Sequence, residues 1–544
     1  MTDAKERDNE EFQPAKRVAS VSHCSSMEQY KTMHGQSLDD PEAFWSNIAK
    51  GFHFEQGVQG KFVDYNFDVS KGEIYIKWLT GATTNMCYNC LDKHVKDGKK
   101  DQVAFYWEGN DPADAESATY GALLDEVCRI ANVLKKYGIK RGDRVAIYMP
   151  MIKELVVAML AVARIGAVHS IVFGGYSSEA LADRMLDAKA SFLITTDGVW
   201  RGAKLIHLKD IADEAIKQCK SQGLEVNKTL VVAHMSRVTS PQPTTNGTAN
   251  GNPAKKTHFD DKGNYKVNWD DKMDIWWHEV VKESSAECPV EWMDTEDPLF
   301  MLYTSGSTGK PKGVLHTIGG YMLYVATTFK YSFDYHPGDV YFCTADIGWI
   351  TGHSYVTYGP LLNAATSVLY RKIPVAFPVL TYFWEILKAG LITGFDRDPK
   401  TIKSNLGHFL GQSPYKQYNI SSLSVLGSVG EPINPEAWLW YHRVIGNSDV
   451  SIVDTFWQTE TGGHVITPLP GATPTKPGSA CFPFFGVEVA IMDEEGKEIK
   501  SEGEGYLVFA RPWPGMMRTV YGDHERFETT YFKKFPGYYC TGDG

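Results

Sequence analysis

The sequence contains no run close to the roughly eighteen consecutive apolar residues that a membrane-spanning helix needs, so no membrane partner is expected. Its first twelve residues, MTDAKERDNEEF, are polar where a secretory signal would require an apolar core. Positive charge is in deficit: 55 Lys and Arg stand against 66 Asp and Glu, a formal net charge of -11. That balance argues against nucleic acid or an anionic membrane surface as a bulk partner, so any phosphate-bearing ligand has to be gripped locally. Cysteine is sparse and odd in number, nine scattered along 544 residues. A disulfide framework is therefore not expected, and a reducing, cytoplasmic location is, with the nucleus as an additional compartment. Cys87, Cys90 and His94 offer half of a metal site, but no second Cys/His pair at ligand spacing follows. What remains, 43% hydrophobic and 22% charged, is the composition of a globular, enzyme-sized chain with room for several packed units.

The stretch that organises the rest is YTSGSTGKPKG, Tyr303 to Gly313, directly after the apolar Leu299 to Leu302. Gly306, Gly309 and Gly313 permit tight turns that aim backbone N–H groups inward, the geometry of an anion nest. Thr304, Ser305, Ser307 and Thr308 add hydroxyl donors, and Lys310 and Lys312 add positive charge. Each charge-assisted hydrogen bond contributes roughly 1.5 to 3 kcal/mol, enough in combination to hold a polyphosphate on an acidic chain. The P-loop pattern G-x-x-x-x-G-K-[ST] is not met, because Pro311 follows Lys310.

Taken in order, residues 1 to 28 lack periodicity and are expected to form a mobile arm. Aromatic residues between Tyr30 and Cys90, among them Phe44, Trp45, Phe52, Tyr65, Phe67, Tyr75 and Trp78, predict an irregular packed region. Strand, helix and strand are predicted over 143–148, 152–165 and 168–173, a βαβ unit. Short apolar strands at 192–195 and 230–233 with a helix over 205–218 continue a doubly wound layer. Residues 239–263, rich in Pro, Thr, Asn and Gly, read as a surface insertion, and 274–281 as an amphipathic helix. After the glycine-rich loop, a helix is predicted at 321–329. Strands follow at 340–344, 366–370, 423–427 and 451–454, and a helix at 435–445 behind an Asn434 cap. Alternation at 487–491 and 505–509 predicts a hairpin of a small β subdomain. The expected architecture is α/β: two doubly wound, mostly parallel sheets over 29–475, and a small β-barrel-like subdomain over 476–544.

Polar clusters recur at the C-terminal ends of these strands, where open α/β sheets bind ligands. They are Gly427 to Pro432, Asp454 to Gly463 (DTFWQTETGG) and Tyr539 to Gly544 (YCTGDG). With the glycine-rich loop, in this order, they resemble the motif set of the acyl-adenylate-forming superfamily. Further matches at Phe300 to Tyr303, Val314 to Thr317, Tyr335 to Asp339, Gly348 to Tyr355 and Tyr521 to Glu528 make the chain similar to acetyl-CoA synthetases from near Tyr30 to its end. The resemblance implies the large core of that enzyme family and a two-step reaction. Acetate would attack the α-phosphorus of MgATP to give acetyl-AMP and pyrophosphate, and the thiol of coenzyme A would then displace AMP.

Carried over by position, the resemblance assigns Thr304, Ser305, Gly306, Ser307, Thr308, Gly309, Lys310 and Lys312 to the β and γ phosphates. It assigns Gly430, Glu431 and Pro432 to the adenine, and Asp454, Thr455, Phe456, Trp457, Gln458 and Thr459 to the rest of the nucleotide wall. Thr459 would reach the α-phosphate, Glu460 would be the Mg2+-associated carboxylate, and Asp543 would accept both ribose hydroxyls. The acetate pocket would be Ile350, Thr351, Val429 and Trp457, its end closed by the indole. The coenzyme A contacts would be Phe173, Gly174, Gly175, Arg201, Gly202, Ala203, Lys204 and Thr351. Lys204 stands where many relatives have arginine, replacing a planar fork by a point charge. Thr304, Thr459 and Glu460 are the expected catalytic residues.

Two departures from the family pattern stand out. Residues 371–407 carry Gly394 to Pro399 where relatives have a Tyr-Thr-Ala-Pro-Thr type segment touching nucleotide and coenzyme A. The sequence also ends at the TGDG motif, where the family continues into a lid domain, so a truncated core with impaired turnover is expected. Three readings stay open: an acetate:CoA ligase, a propionate or other short-chain acyl-CoA ligase, and a non-catalytic nucleotide-binding core. All take small molecules as partners, and a homo-oligomer is compatible with each.

Overall fold

The strand Arg144–Tyr148 shows why the chain folds around a parallel sheet. Val145 to Tyr148 are all buried, as a strand covered on both faces must be. It lies between Val168–Ile171 and Phe192–Thr196, parallel to both. The computed structural model describes residues 10–111, 114–201, 204–238, 265–304, 311–370 and 422–543. Among them the largest sheet has eight strands: Asp274–Trp276, Lys228–Val232, Phe192–Thr196, Arg144–Tyr148, Val168–Ile171, Pro298–Thr304, Lys312–Thr317 and Thr519–Val520. The first six run parallel, and the last two add antiparallel edges.

The second sheet joins Val340–Phe342, Thr366–Tyr370 and Val103–Glu108 in parallel, with Ala115–Thr119 antiparallel at the edge. Val425–Ser428 and Ser451–Asp454 form a separate parallel pair. Near the end, Val489–Met492, Tyr506–Phe509 and Tyr539–Cys540 make a three-stranded antiparallel sheet. Helix Ile318–Ser332 is buried almost all round and sits among these layers. Helix Lys153–Arg164 is as deeply set, and its two buried charges are paired. Glu154 accepts from Arg237 at 2.7 Å, and Arg164 makes a bidentate contact with Asp92 at 2.7 and 2.9 Å. No helix among the described residues is long and apolar enough to cross a membrane.

Several expectations are corrected by these pairings. The two sheets do not divide at the glycine-rich loop: Val103–Glu108 joins the later sheet, while Pro298–Thr304 and Lys312–Thr317 join the earlier one. Thr519–Val520 likewise leaves the small β subdomain to pair with Val314 and Leu315. Periodicity reports which face of a strand is buried and says nothing of its neighbour, so chain order does not reveal these pairings, and the sequence reading places no strand at Val103–Glu108 at all. Asp274–Trp276 is a strand parallel to Thr229–Val231, and the expected helix begins only at Trp277. Leu205 similarly lies in a strand, with the helix starting at Leu208.

Residues 10–28, expected as part of a mobile arm, lie against the body. Phe12 bridges to Thr475, Val18 and Cys24 are buried, and helix Lys16–Ala19 is followed by helix Met27–Asp39 capped by Ser26. Of the aromatic residues expected in a packed region, Trp45, Phe67 and Trp78 are buried, whereas Tyr65 and Tyr75 are exposed. Asn434 caps helix Pro435–Trp440 as the sequence predicts, accepting from the N–H groups of Glu436 and Ala437. The insertion at 239–263 and the unusual segment at 371–407 lie outside the described residues.

Candidate active site

Ser305 to Lys310, the centre of the glycine-rich loop, lie outside the described residues, as do Gly202 and Ala203. Thr304 and Lys312, which flank that loop, are paired partners in the antiparallel strands Pro298–Thr304 and Lys312–Thr317. The Thr304 hydroxyl oxygen is buried and has no hydrogen-bond partner among the described residues. Lys312 Nζ lies 3.4 Å from Glu460 Oε1 and donates to the Tyr531 hydroxyl at 2.7 Å. The Tyr531 hydroxyl in turn donates to Glu460 Oε1 at 2.5 Å. Burial and the Glu460 carboxylate push this phenol well above its ordinary range, so it stays a proton donor. The ammonium, phenol and carboxylate thus close a triangle with little solvent access.

Tyr531 also stacks on Tyr539, with centroids 5.2 Å apart and planes at 8°. The Tyr539 hydroxyl donates to Gln458 Oε1 at 3.1 Å, and Gln458 Nε2 donates to Asp543 Oδ2 at 2.7 Å. Burial, with Glu460 and Glu431 as like charges nearby, raises the Asp543 carboxyl against the lowering hydrogen bond from Gln458. Four segments far apart in sequence are therefore held in one network: the strand after the loop, the Gln458 to Glu460 turn, helix His524–Tyr531 and the Tyr539 to Asp543 end. Tyr531 is the residue that sequence reasoning missed. It falls between two recognised motifs, on helix His524–Tyr531, and no spacing marks it.

The backbone that presents Glu460 is tightly fixed. Met517 N–H donates to the Glu460 carbonyl at 2.8 Å, the Trp513 indole N–H to Thr461 O at 2.8 Å, and the Ser354 hydroxyl to Gly462 O at 2.7 Å. Gly462 has φ +72, and a Cβ there would lie 2.1 Å from the Gly515 carbonyl oxygen. Gly462→Ala is accordingly expected to lower stability by about 3 kcal/mol or more, combining left-handed strain with a backbone clash. Urea unfolding checks this, and a midpoint shift equivalent to less than about 1 kcal/mol would contradict it.

On the nucleotide side, Val425–Ser428 and Ser451–Asp454 deliver their C-terminal ends together. Thr455 donates from both N–H and hydroxyl to Ser428 O, at 3.2 and 2.9 Å. Glu431 and Pro432 are exposed at the rim, after Gly430 with φ +104. Phe456 N–H donates to Ile466 O at 2.9 Å, anchoring the wall. Asp454 Oδ2 is buried without a hydrogen-bond partner among the described residues, and burial pushes its carboxyl up to about 7.

A cavity of about 860 Å³ opens beside this wall, and Ile350, Thr351, Val429, Trp457, Gln458 and Thr459 are among its lining. The Trp457 indole packs edge-to-face against a neighbouring pair of rings, Tyr355 at 5.0 Å and His464 at 5.3 Å. The Tyr355 hydroxyl accepts from His464 N–H at 2.9 Å and donates to Thr328 at 2.9 Å, which fixes the ring behind the indole. Tyr355 and His464 carry no ligand-like signal in the sequence and become visible only through this packing.

The coenzyme A candidates also assemble. Strands Val199–Arg201 and Lys204–Ile206 form a hairpin in which Lys204 is paired directly with Arg201. The Arg201 guanidinium lies over the Phe173 ring at 5.4 Å, and Phe173 packs 5.9 Å from Trp349. Trp349 is 47% exposed, unusual for so large an apolar ring. A Cβ at Gly175 would meet the Phe173 ring at 2.4 Å and the guanidinium at 2.8 Å, so glycine is what permits this approach. Gly174 and Thr351 lie beside the same surface, with Gly174 packed on the Met149 backbone. Asp346, buried next to Arg201, is pushed up to about 6 by burial.

The Lys312–Tyr531–Glu460 triangle, the paired strand ends and the cavity beside them lie on one α/β scaffold, and comparison with known proteins places that scaffold among the AMP-binding enzymes. Residues 91–521 match the family model of AMP-binding enzymes, and 30–90 match the model described as the acetyl-coenzyme A synthetase N-terminus. The chain belongs to the AMP-binding enzyme family. It is 57% identical over 535 residues to the acetyl-coenzyme A synthetase of Drosophila melanogaster, covering 98% of this chain and 77% of that protein. It is 50% identical over 531 residues to the chloroplastic/glyoxysomal acetyl-coenzyme A synthetase of Arabidopsis thaliana, covering 98% of this chain and 68% of that protein. The acetoacetyl-CoA synthetase from Streptomyces lividans shares the fold at a TM-score of 0.78 and 21% identity, over 98% of this chain and 77% of that one.

Proposed function

We propose that the chain is the adenylate-forming core of an AMP-forming acetate:CoA ligase. The observation that carries this reading is the indole of Trp457, braced by Tyr355 and His464 at the end of a cavity that Ile350, Thr351 and Val429 also line. A recess stopped by an immobile ring accepts two or three carbons, and a longer chain would meet an overpacking cost of roughly 1 to 3 kcal/mol or more. In this reading Thr459 would reach the α-phosphate and Lys312 the β and γ phosphates. Gln458 Nε2 donates to Asp543 Oδ2 at 2.7 Å, which steadies the carboxylate that would accept the ribose hydroxyls.

The Glu460 carboxylate fits a hard divalent cation. Its Oε1 is held by Tyr531, while its Oε2 accepts no hydrogen bond among the described residues, and the unpartnered Thr304 hydroxyl is a further oxygen donor. Mg2+ bound there would neutralise phosphate charge. Lys312 adds a fixed positive charge beside the same anion, paired with Glu460 at 3.4 Å and bridged to it by the Tyr531 hydroxyl. Arg201 and Lys204, paired across their hairpin, supply charge for the phosphates of coenzyme A, and Phe173 and Trp349 supply an apolar face.

The reading is tested with AMP esters carrying ethyl, propyl, butyl and hexyl groups, which mimic acyl-adenylates. Thermal stabilisation is expected from the short esters and should fade with length. In Trp457→Gly the hexyl ester should recover at least a tenfold gain in affinity, since removing the indole opens space for several methylenes worth roughly 1 kcal/mol each. Equal stabilisation by all four esters in the unaltered chain would overturn the short-acid assignment. Acetate-dependent exchange of pyrophosphate into ATP separates a ligase from a nucleotide-binding module.

A further inference from the structure

Away from the cleft, His23, Asp334 and His336 bring three ligand-type atoms within 4.8 Å of one another. None of the three lines the 860 Å³ cavity. His23 lies between helices Lys16–Ala19 and Met27–Asp39, while Asp334 and His336 follow the C-terminal end of helix Ile318–Ser332. Asp334 is buried and has φ +48, a left-handed conformation that an aspartate adopts at some cost. Its Oδ1 accepts from the His23 backbone N–H at 2.9 Å, and its Oδ2 from the Ser22 hydroxyl at 2.7 Å.

The imidazoles are arranged as ligands. His23 Nε2–H donates to the Tyr335 carbonyl at 2.7 Å, which leaves the lone pair on Nδ1. A backbone carbonyl holding one ring nitrogen is the usual way in which a metal-binding imidazole is oriented and its tautomer set. The His336 ring stacks on that of His23, with centroids 4.3 Å apart and planes at 18°. His336 Nε2 is buried with no hydrogen-bond partner among the described residues and faces Asp334 Oδ2 at 3.4 Å. That gap is long for a hydrogen bond. It matches the edge of a tetrahedron, about 3.3 Å, around a cation bonded to nitrogen and oxygen at about 2.0 to 2.1 Å.

We propose that His23, Asp334 and His336 form a binding site for a divalent transition cation of the Zn2+ class. Two imidazoles and one carboxylate select such a borderline cation over Mg2+ or Ca2+, which prefer oxygen alone. His23 and His336 are each partly exposed, which gives the cation a path in and leaves a coordination position to water. Bound there, it would fasten the Ser22 to Cys24 segment to the end of the central helix, and with it the N-terminal stretch. Lys330 is the nearby positive charge that affinity must overcome.

The test titrates the metal-free chain with Co2+ and follows visible absorption, for the unaltered protein, His23→Gln, His336→Gln and the double variant. One Co2+ per chain is expected, with a ligand-field band, no thiolate charge-transfer band and bleaching by Zn2+. Each single variant should weaken binding by roughly tenfold or more, with its metal-free melting temperature unchanged. No saturable band, a thiolate band, or a band that survives in the double variant would overturn the proposal. A measurement on the unaltered chain stands beside these: Zn2+ should protect His23 and His336 from diethyl pyrocarbonate, as read by peptide mass, and equal labelling with and without Zn2+ would count against the site.

Discussion

Glu460→Gln is expected to lower the rate of acetate-dependent pyrophosphate exchange by about two to three orders of magnitude, the usual effect of removing one preorganised electrostatic partner from an active site. The substitution preserves shape, and the amide oxygen can still accept from Tyr531, whose hydroxyl lies 2.5 Å from Glu460 Oε1. The backbone contacts that hold this turn, from Met517, Trp513 and Ser354, do not involve the side chain, so the fold is expected to persist. What disappears is a negative charge beside Lys312, and with it the fit to Mg2+. Calorimetric titration with ATP should therefore lose most of its Mg2+ dependence in the variant. Unchanged exchange together with an unchanged Mg2+ dependence would remove Glu460 from the catalytic set.

The second large effect is acid unfolding. Burial holds five imidazoles far below their ordinary value of 6.5: His94 at about 4, His316 at about 3 and His353 at about 4, with His169 and His464 also well below it. Between about pH 6 and pH 4 the unfolded chain protonates these rings while the folded chain keeps them neutral. The unfolded state then binds more protons, and stability falls by about 1.4 kcal/mol per pH unit for each ring. Buried carboxyls work in the opposite sense. Asp197 and Asp346 at about 6 and Asp454 at about 7 take up protons in the folded state before the unfolded chain does, and so gain stability in the same window. The five deeply lowered rings outnumber these three carboxyls, so stability is expected to fall as pH drops from about 6 toward 4, and this loss is absent above about pH 7. Urea midpoints at pH 7, 6 and 5 check the slope, and a midpoint that holds constant down to pH 5 would refute it.

The histidines also show why parts of this protein resist reading from its sequence. His169 stacks on Phe300 and His353, and Phe300 stacks on His316, a column of rings through the interior. A histidine on a strand such as Val168–Ile171 carries no local mark of whether it will be buried neutral or exposed. Tyr531 is a similar case. Its neighbours in sequence are ordinary helix residues, and its role appears only because helix His524–Tyr531 brings the hydroxyl against Glu460 and Lys312. The recognised motifs behaved differently. Gln458, Glu460, Lys312 and Asp543 announce themselves by residue type and order along the chain, and the hydrogen bonds among their segments join them as that order implies.

By itself, the sequence determined the alternation of strands and helices, the family, and several of the residues that line the cavity, Ile350, Thr351, Val429, Trp457, Gln458 and Thr459 among them. These are local properties: a period of two or 3.6, a cap at Asn434, a loop of glycines and hydroxyls after an apolar strand. Only the tertiary structure decided which strands share a sheet, so that Val103–Glu108 lies beside Thr366–Tyr370, and Thr519–Val520 beside Lys312–Thr317. It alone set Tyr355 and His464 behind the Trp457 indole, docked residues 10–28 onto the body, and gathered His23, Asp334 and His336. Pairing and packing between residues hundreds of positions apart depend on the shape of both surfaces together, and no window of sequence contains both.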